Sequence, residues 1–579
     1  MLWLRKHAVL VVAVFGTAAL MTIAALAVTG SVLSRLHEIE GERGGTLTVV
    51  SLEGSPDLDP ARINDVYGTM IARAVDRTPY TFRPDREGPQ PDLAEGTPEI
   101  SDDSTQVTVT IRSGVHFSPP VNREVTARDV AYGIARGFLP GVDSPSAQLY
   151  FADVKGVAAV AAGRRTLPSG LQTPDDHTLE IHLSAPTGRL VADALTLPLA
   201  APVPPGYARR FDRLPRSTYG RHQVFTGPYR IASSRGGLLP AADAPRITLE
   251  RNPSWDSADD FRPAFLHRIV LDQRSPGAAT LARRVLGGSA AVNGSEPARA
   301  DLLRALRTRR AQVDLPPAGE ITFIALNTQL APFDDPDVRR AVSAAVDRDA
   351  LRGALGGPAV GKVATHWIPP GVPGFDEAGG EAGPGVNFLA SHRGNLALAR
   401  RYLRRAGYAH GRITGFPVLE LVARRDASGK AFAGATRRAL GALGLRSRVR
   451  FLSFGPFIRA CSRAPRVAAC LDYRWQRDVD DAASMLPPLF GRQGLRAATN
   501  VSRLSNRSLE RLMDAAATTT GESDRAERWA DADRRATELA PGVPIVWNRD
   551  PNLRSEDVKG VLDRDLAAWD LSFTSLRAP

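Results

Sequence analysis

The stretch from Phe323 to Leu351, FIALNTQLAPFDDPDVRRAVSAAVDRDAL, constrains this chain more than any other. It reads as a buried strand that passes through a polar Asn-Thr-Gln turn into a helix with strong start signals. Asp335 stands where an N-cap belongs, and Pro336 follows at the first helical position, where its missing N–H costs nothing. Val338, Ala341, Val342, Ala345 and Val346 then recur at the spacing of one buried helix face.

Length extends this picture. At 579 residues the chain exceeds one ordinary core and implies two or three lobes. Its 43% hydrophobic and 23% charged residues match a globular protein and exclude a disordered one. No repeat of 20–50 residues is present, and Gly379 to Gly385 reads as a surface loop. Two strands alternate cleanly: Val107, Val109 and Ile111 oppose Thr108, Thr110 and Arg112, while Leu179, Ile181 and Leu183 oppose Thr178, Glu180 and His182. Between them, Thr126 and Asp129 form a capping pair for a helix carrying Val130 and Ile134.

The formal charge of +12 raises nucleic acid as a partner, but its make-up argues against one. Only five lysines occur, and the positive charge is arginine, read here as spread along the chain and interleaved with Asp and Glu. Anionic cell-wall or membrane polymers suit such a surface better than DNA.

The N-terminus sets the compartment. Ala8 to Leu33 contains no charged residue and follows Arg5 and Lys6. At about 1.5 Å per residue it reaches roughly 39 Å, beyond a hydrocarbon core of about 30 Å, so a membrane anchor is expected. Cleavage after Ala25-Leu26-Ala27 is the competing reading and would give a secreted chain. Either way the remainder lies outside the cytoplasm. The two cysteines, Cys461 and Cys470, are either a disulfide, stabilising by under about 3 kcal/mol, or a pair of reduced buried thiols.

A series of segments, in order, resembles the extracellular solute-binding proteins of ABC transporters, family 5, the dipeptide/oligopeptide-binding family. Gly45-Thr46-Leu47-Thr48-Val49-Val50 with Asp57-Leu58-Asp59-Pro60 is similar to the opening strand and "LDP" turn. Pro91-Asp92-Leu93-Ala94-Glu95, Val125-Thr126-Ala127-Arg128-Asp129-Val130, Thr226-Gly227-Pro228-Tyr229 and Arg251-Asn252-Pro253-Ser254-Trp255 match further family segments. So do Trp367 to Gly371, Ala399 to Tyr408 and the Phe323–Leu351 stretch.

The resemblance implies an α/β fold of the periplasmic-binding-protein type II kind, two lobes with a hinge and a subdomain inserted in the first. The boundaries expected are 1–43 for the membrane segment and linker, 44–84 with 205–270 and 543–579 for lobe I, 85–204 for the subdomain and 271–542 for lobe II. Val543 to Trp547 is thus expected to return to the first lobe. No cysteine ends the N-terminal run, so the lipid anchor common in the family is not expected.

Catalytic signatures are missing: no G-x-S-x-G elbow, no H-E-x-x-H helix and no G-x-x-x-x-G-K-[ST] loop occurs. No catalytic residue, metal or cofactor is expected. By resemblance, the ligand segment is Leu471 to Asp481, similar to the family's "W..D..DP" loop. That places an ammonium-binding carboxylate on Asp478 and a cleft wall on Trp475, with Tyr473, Arg474, Asp481 and Trp367 completing the expected ligand-binding set. A carboxylate suits this task because charge-assisted bonds to an ammonium are strong where water is partly excluded. Read from residues alone, the segment is equally an acidic surface loop with a packed tryptophan. Ala482 replaces the family's proline, Ser118 to Glu124 replaces an expected Asp-Gly turn, and tyrosines number only ten, which leaves a non-peptide ligand open.

The resemblance implies the binding component of an ABC importer, acting as a monomer and handing a peptide or similar small solute to permease and ATPase subunits on other chains. A membrane-anchored extracellular hydrolase, or a solute sensor on the same fold, are the alternatives.

Overall fold

Alternating apolar strands build three principal sheets within residues 43–579, the larger of two units into which the chain divides, the other being 1–42. The computed structural model describes residues 40–577 except positions 56, 214, 235 and 236. The Ala8–Leu33 run lies outside the described residues, among which no helix is long and apolar enough to cross a membrane.

A five-stranded sheet has Thr46–Val50 near its centre, parallel to both Arg268–Asp272 and Ala291–Asn293, with Arg246–Arg251 and Tyr229–Ile231 continuing antiparallel. Leu47, Val49, Ile269 and Leu271 face its core, joined by Met70 and Ile71 of the Val66–Val75 helix. The Gly227-Pro228-Tyr229 turn needs its glycine because a Cβ there would sit 2.7 Å from the Val75 carbonyl carbon. Asn252 fixes the turn by donating from Nδ2 to the Gly227 carbonyl at 2.9 Å.

A six-stranded sheet runs in the order Gly361–Val363, Gly542–Arg549, Pro317–Leu326, Ala469–Gln476, Leu419–Arg424 and Ser447–Leu452. The strand expected at Phe323 is its long central member. Asp335 caps the following Pro336–Ala345 helix by accepting from Asp337 N at 2.7 Å, and Val338, Ala341 and Val342 are buried. A four-stranded sheet carries the two strands with clean alternation, Gln106–Thr110 against Thr178–His182. The Thr126–Asp129 capping box forms, with Thr126 N donating to the Asp129 carboxylate at 2.8 Å. One apolar core joins this small sheet to the six-stranded one: Leu149, Tyr150 and Phe151 belong with Phe323, Trp367 and Phe490.

Strand pairing corrects two expectations. Val543–Trp547 does not return to the five-stranded sheet; it pairs antiparallel with Pro317–Leu326 in the six-stranded one. The forward passage falls after Leu271, since Ala291–Asn293 still pairs with Thr46–Val50. Both passages between the sheets lie side by side, with Val313–Asp314 paired to Asn552–Leu553. Cys461 and Cys470 are disulfide-bonded, their Cα atoms 5.8 Å apart, joining the Phe454–Arg463 helix to the Ala469–Gln476 strand.

The positive charge is not evenly spread either. Residues 393–466 carry sixteen arginines and one lysine against only Glu420 and Asp426, a net +15 that exceeds the +12 of the whole chain. Three of these arginines, Arg446, Arg448 and Arg450, are exposed on or beside the edge strand Ser447–Leu452, where charge blocks strand-on-strand aggregation.

Candidate functional site

The Ala469–Gln476 strand delivers its last residues, and the loop after it, to the space between the five- and six-stranded bodies. Gln476 Nε2 donates to the Leu566 carbonyl at 3.2 Å, and Arg477 Nη2 lies 3.5 Å from Asp565. Leu566 and Asp565 belong to the C-terminal hairpins whose Val558, Trp569 and Leu571 pack into the five-stranded core. A cavity of about 590 Å³ opens here, lined by Pro84, Val561, Leu562 and Arg564 from one side and by Asp314, Gly319, Gly371 and Arg477 from the other. A smaller cavity of about 280 Å³ shares Pro84, Gly371, Arg477 and Arg564 and adds Asp480, Asp563 and Asp565. Arg477 pairs with Asp480, whereas Arg564 forms no ion pair among the described residues. The larger volume lies within the ~300–1,000 Å³ usual for small-ligand sites.

Asp478 follows Arg477 and faces the short Pro145–Tyr150 helix, whose Tyr150 hydroxyl donates to its carboxylate. Burial pushes the Asp478 carboxyl up to about 6 although Tyr150 opposes the shift. Trp475 is half-buried, with Nε1 donating to the Ser484 carbonyl at 2.8 Å and its ring against the shared apolar core. Sequence reasoning missed Tyr150, because nothing local ties a helix in the small-sheet region to a loop 328 residues later.

The other expected residues take different places. Trp367, expected in the ligand-binding set, is 1% exposed, edge-on to Phe323 with ring centroids 5.4 Å apart, and belongs to the core. Tyr473 is buried beside it, 5.5 Å from the Phe323 ring. Asp481 is spent on structure: it accepts from Arg525 Nε and from Ala483 N, both at 2.6 Å, capping the short helix Ala482–Ser484. Each oxygen already accepts one bond, and the residue is 4% exposed. Arg474 points to the opposite face of its strand from Trp475 and Tyr473, where it pairs with Glu296 and lies 4.0 Å from Glu320. Of the six, only Asp478 and Trp475 are half-buried and free of an ion pair among the described residues, close to Arg477 in the chain.

The motif residues outside this region hold the molecule together. Asp59 of the Asp-Leu-Asp-Pro turn accepts two bonds of 2.8 Å from Arg136, and Asp92 accepts from Arg77 at 2.7 Å and Arg262 at 2.5 Å. Trp367 N and Ile368 N donate to Asp533, which also holds His366 at 2.6 Å.

Known proteins match this architecture. The Haemophilus influenzae heme-binding protein A is 23% identical over 466 residues, 79% of this chain and 78% of that protein. A Pseudomonas aeruginosa dipeptide-binding protein is 22% identical over 484 residues, 81% and 83% of the two chains. Among solved structures, clavulanic acid biosynthesis oligopeptide binding protein 2 superposes with a TM-score of 0.78 at 26% identity, covering 93% of this chain and 96% of that one. The Escherichia coli murein tripeptide binding protein gives 0.75 at 19% identity, covering 94% and 100%. The model of bacterial extracellular solute-binding proteins, family 5, matches residues 88–495. With most of its length matched by that model, and the type II binding-protein fold shared with the structures above, this chain belongs to the bacterial extracellular solute-binding proteins of family 5.

Proposed function

We propose that this protein captures a short peptide or a similar amine-bearing solute between two lobes and delivers it, unchanged, to an ABC permease. The lobes are centred on the five- and six-stranded sheets, with the four-stranded region as an insertion and the paired passages Val313–Asp314 and Asn552–Leu553 as the hinge. Two adjacent strands crossing together bend as a unit, which suits closure around a ligand. A ligand that contacts both sides only in the closed form shifts the equilibrium toward it.

Asp478 carries the reading. Its carboxylate is desolvated, accepts from the Tyr150 hydroxyl, and directly follows Arg477, which lines a cavity of small-ligand size. An ammonium entering there exchanges water for a charge-assisted bond in a drier setting. Arg564, unpaired at the cavity wall, is placed to receive a carboxylate at the ligand's other end. The relatives named for dipeptides and oligopeptides support a peptide. The apolar run Ala8–Leu33 tethers the protein as a monomer at the outer face of the membrane.

Calorimetry of the full chain with a panel of di- and tripeptides, followed by mass spectrometry of the recovered solute, tests the proposal. Binding near one to one with solute mass unchanged is expected. Conversion of the solute, or no binding by any free-amine peptide, would contradict it.

A further inference from the structure

We infer that Glu296, Glu320, Asp472 and Asp550, gathered around Arg474, form a second cation-recognising subsite that takes a guanidinium or ammonium group carried by the ligand. The inference rests on the solute-capture reading above and adds a substrate class to it: solutes with a second positive charge, separate from the one at Asp478.

Asp472 is the residue that asks for an explanation. It sits where the register between Pro317–Leu326 and Ala469–Gln476 shifts, and its φ of 58° is a left-handed conformation that side-chain-bearing residues seldom adopt. It is 1% exposed, yet neither carboxylate oxygen has a hydrogen bond of full geometry. The Ser428 hydroxyl beside it opposes the effect of burial as a weak hydrogen-bond partner, in a geometry short of a full hydrogen bond. The nearest positive atom is Arg474 Nε, 3.8 Å away and itself unsatisfied. A buried carboxylate held by a single long ion pair, without a full hydrogen bond, is costly for a protein to hold, and backbone strain of this kind concentrates at functional sites.

Around it the charges do not balance. The Arg474 guanidinium pairs with Glu296 and lies 4.0 Å from Glu320, so one cation is shared among several carboxylates. Arg424, the other cation in reach, is committed to Asp426 at 2.9 Å. Asn548 bonds Glu320 but brings no charge. Burial and mutual repulsion push the Glu320 and Asp550 carboxyls up, and burial does the same to Asp472. The acids are spread rather than convergent: among the described residues no group of three or more His, Cys, Asp or Glu is arranged to hold a metal ion. An extended organic cation fits that spacing better than a metal.

The cluster also straddles the cleft. Glu296 lies on the loop after Ala291–Asn293 of the five-stranded sheet, whereas Glu320, Asp472 and Arg474 belong to the six-stranded one. Its side chain is 56% exposed, which leaves a mouth to solvent. Approach of the two bodies completes the cluster and leaves it short of positive charge, so a cation entering with the ligand favours the closed arrangement.

The test compares Ala-Arg-Ala with Ala-citrulline-Ala, nearly the same in shape but one charge apart, by calorimetry on the full chain at neutral pH. Wild type should bind the arginine peptide at least about tenfold more tightly, a gap of about 1.4 kcal/mol. In Asp472→Asn, which keeps a residue tolerant of this φ, and separately in Glu296→Gln, at a half-exposed position, the gap should shrink to less than about threefold. Equal affinities in wild type, or an undiminished gap in both variants, would overturn the inference while leaving solute capture standing. Failure of both peptides to bind wild type would overturn the parent reading and this one with it.

Discussion

Around Arg136, one guanidinium meets two carboxylates with every oxygen answered; around Arg474, one guanidinium is spread across a group of carboxylates, one of which it reaches only at 3.8 Å. In the first cluster, Asp59 takes two 2.8 Å bonds from Arg136, and Asp212 takes two more of 2.8 Å, with Tyr132 and Ser217 donating to its oxygens as well. Asp59 lies near the N-terminal strand and Arg136 on the Ala127–Arg136 helix, so the cluster fastens the small-sheet region to the rest. The neighbouring Arg77, Asp92, Arg262 and Asp260 are likewise matched, two cations to two anions. In the Arg474 cluster Asp472, at 1% exposure, makes no hydrogen bond of full geometry among the described residues and only a 3.8 Å ion pair. Well-paired burial is compatible with a structural role; a weakly answered buried carboxyl costs stability, and its retention points to something outside the chain that completes its pairing.

The comparison breaks most visibly at Arg136. Arg136→Met strands Asp59 and Asp212 in the interior and should lower stability by about 3–5 kcal/mol in urea unfolding. A loss under about 1 kcal/mol would mean the matched cluster is not a fastener. Next in size is Asp478→Asn, which should leave the unfolding midpoint nearly unchanged but weaken binding of a free-amine peptide by about 2–5 kcal/mol. N-acetylated peptide should suffer similarly on wild type and show little further loss on the variant. Unchanged affinity for the free-amine peptide would remove Asp478 from the site.

A pH scan sharpens the contrast between the two kinds of carboxylate. Burial, reinforced by Asp59, pushes Asp76 up to about 8, so its folded form holds a proton more tightly than its unfolded form. That contribution to stability is complete below the ordinary carboxylate range and is lost as pH rises through about 8. Asp59 and Asp92 are held below the ordinary value by their arginines, so their contribution is lost only as pH falls through the acid range. Stability should therefore rise from pH 8 toward pH 5, and Asp76→Asn should flatten that rise. An identical slope in the variant would assign it to other groups. The smallest effect is expected for Asp472→Asn: a stability change within about 1 kcal/mol, or a gain, since it removes a buried carboxyl held only by a long ion pair. A loss as large as that of Arg136→Met would show that Asp472 supports the fold.

Local chemistry was legible in the sequence and long-range pairing was not. Asp335 at its N-cap, the Thr126–Asp129 box and the alternation of Val107 and Val109 are each set by a few neighbouring residues, and each is present in the structure. The destination of Val543–Trp547 is set by Ile321 and Phe323, more than two hundred residues earlier, which local pattern does not encode. In the ligand segment, motif spacing led to Asp478 and Trp475, but a motif does not tell which side of a strand meets the core. Trp367 and Tyr473 were therefore expected in the ligand-binding set and are interior, and Asp481 looked like a ligand group and is a cap. The Arg474 cluster draws on positions 296, 320, 472 and 550, and only folding brings them together.

Proton counting on binding tests the central claim most directly. The carboxyls of Glu320, Asp472 and Asp550 are pushed upward in the ligand-free structure, so a cation placed among them favours their ionised forms and expels protons. Calorimetry of Ala-Arg-Ala and Ala-citrulline-Ala in buffers of different ionisation enthalpy, over a pH series from the carboxylate range to neutral, gives the number released by each. More protons released by the arginine peptide, with the excess lost in Asp472→Asn, is the predicted result; equal release by the two peptides would contradict the account.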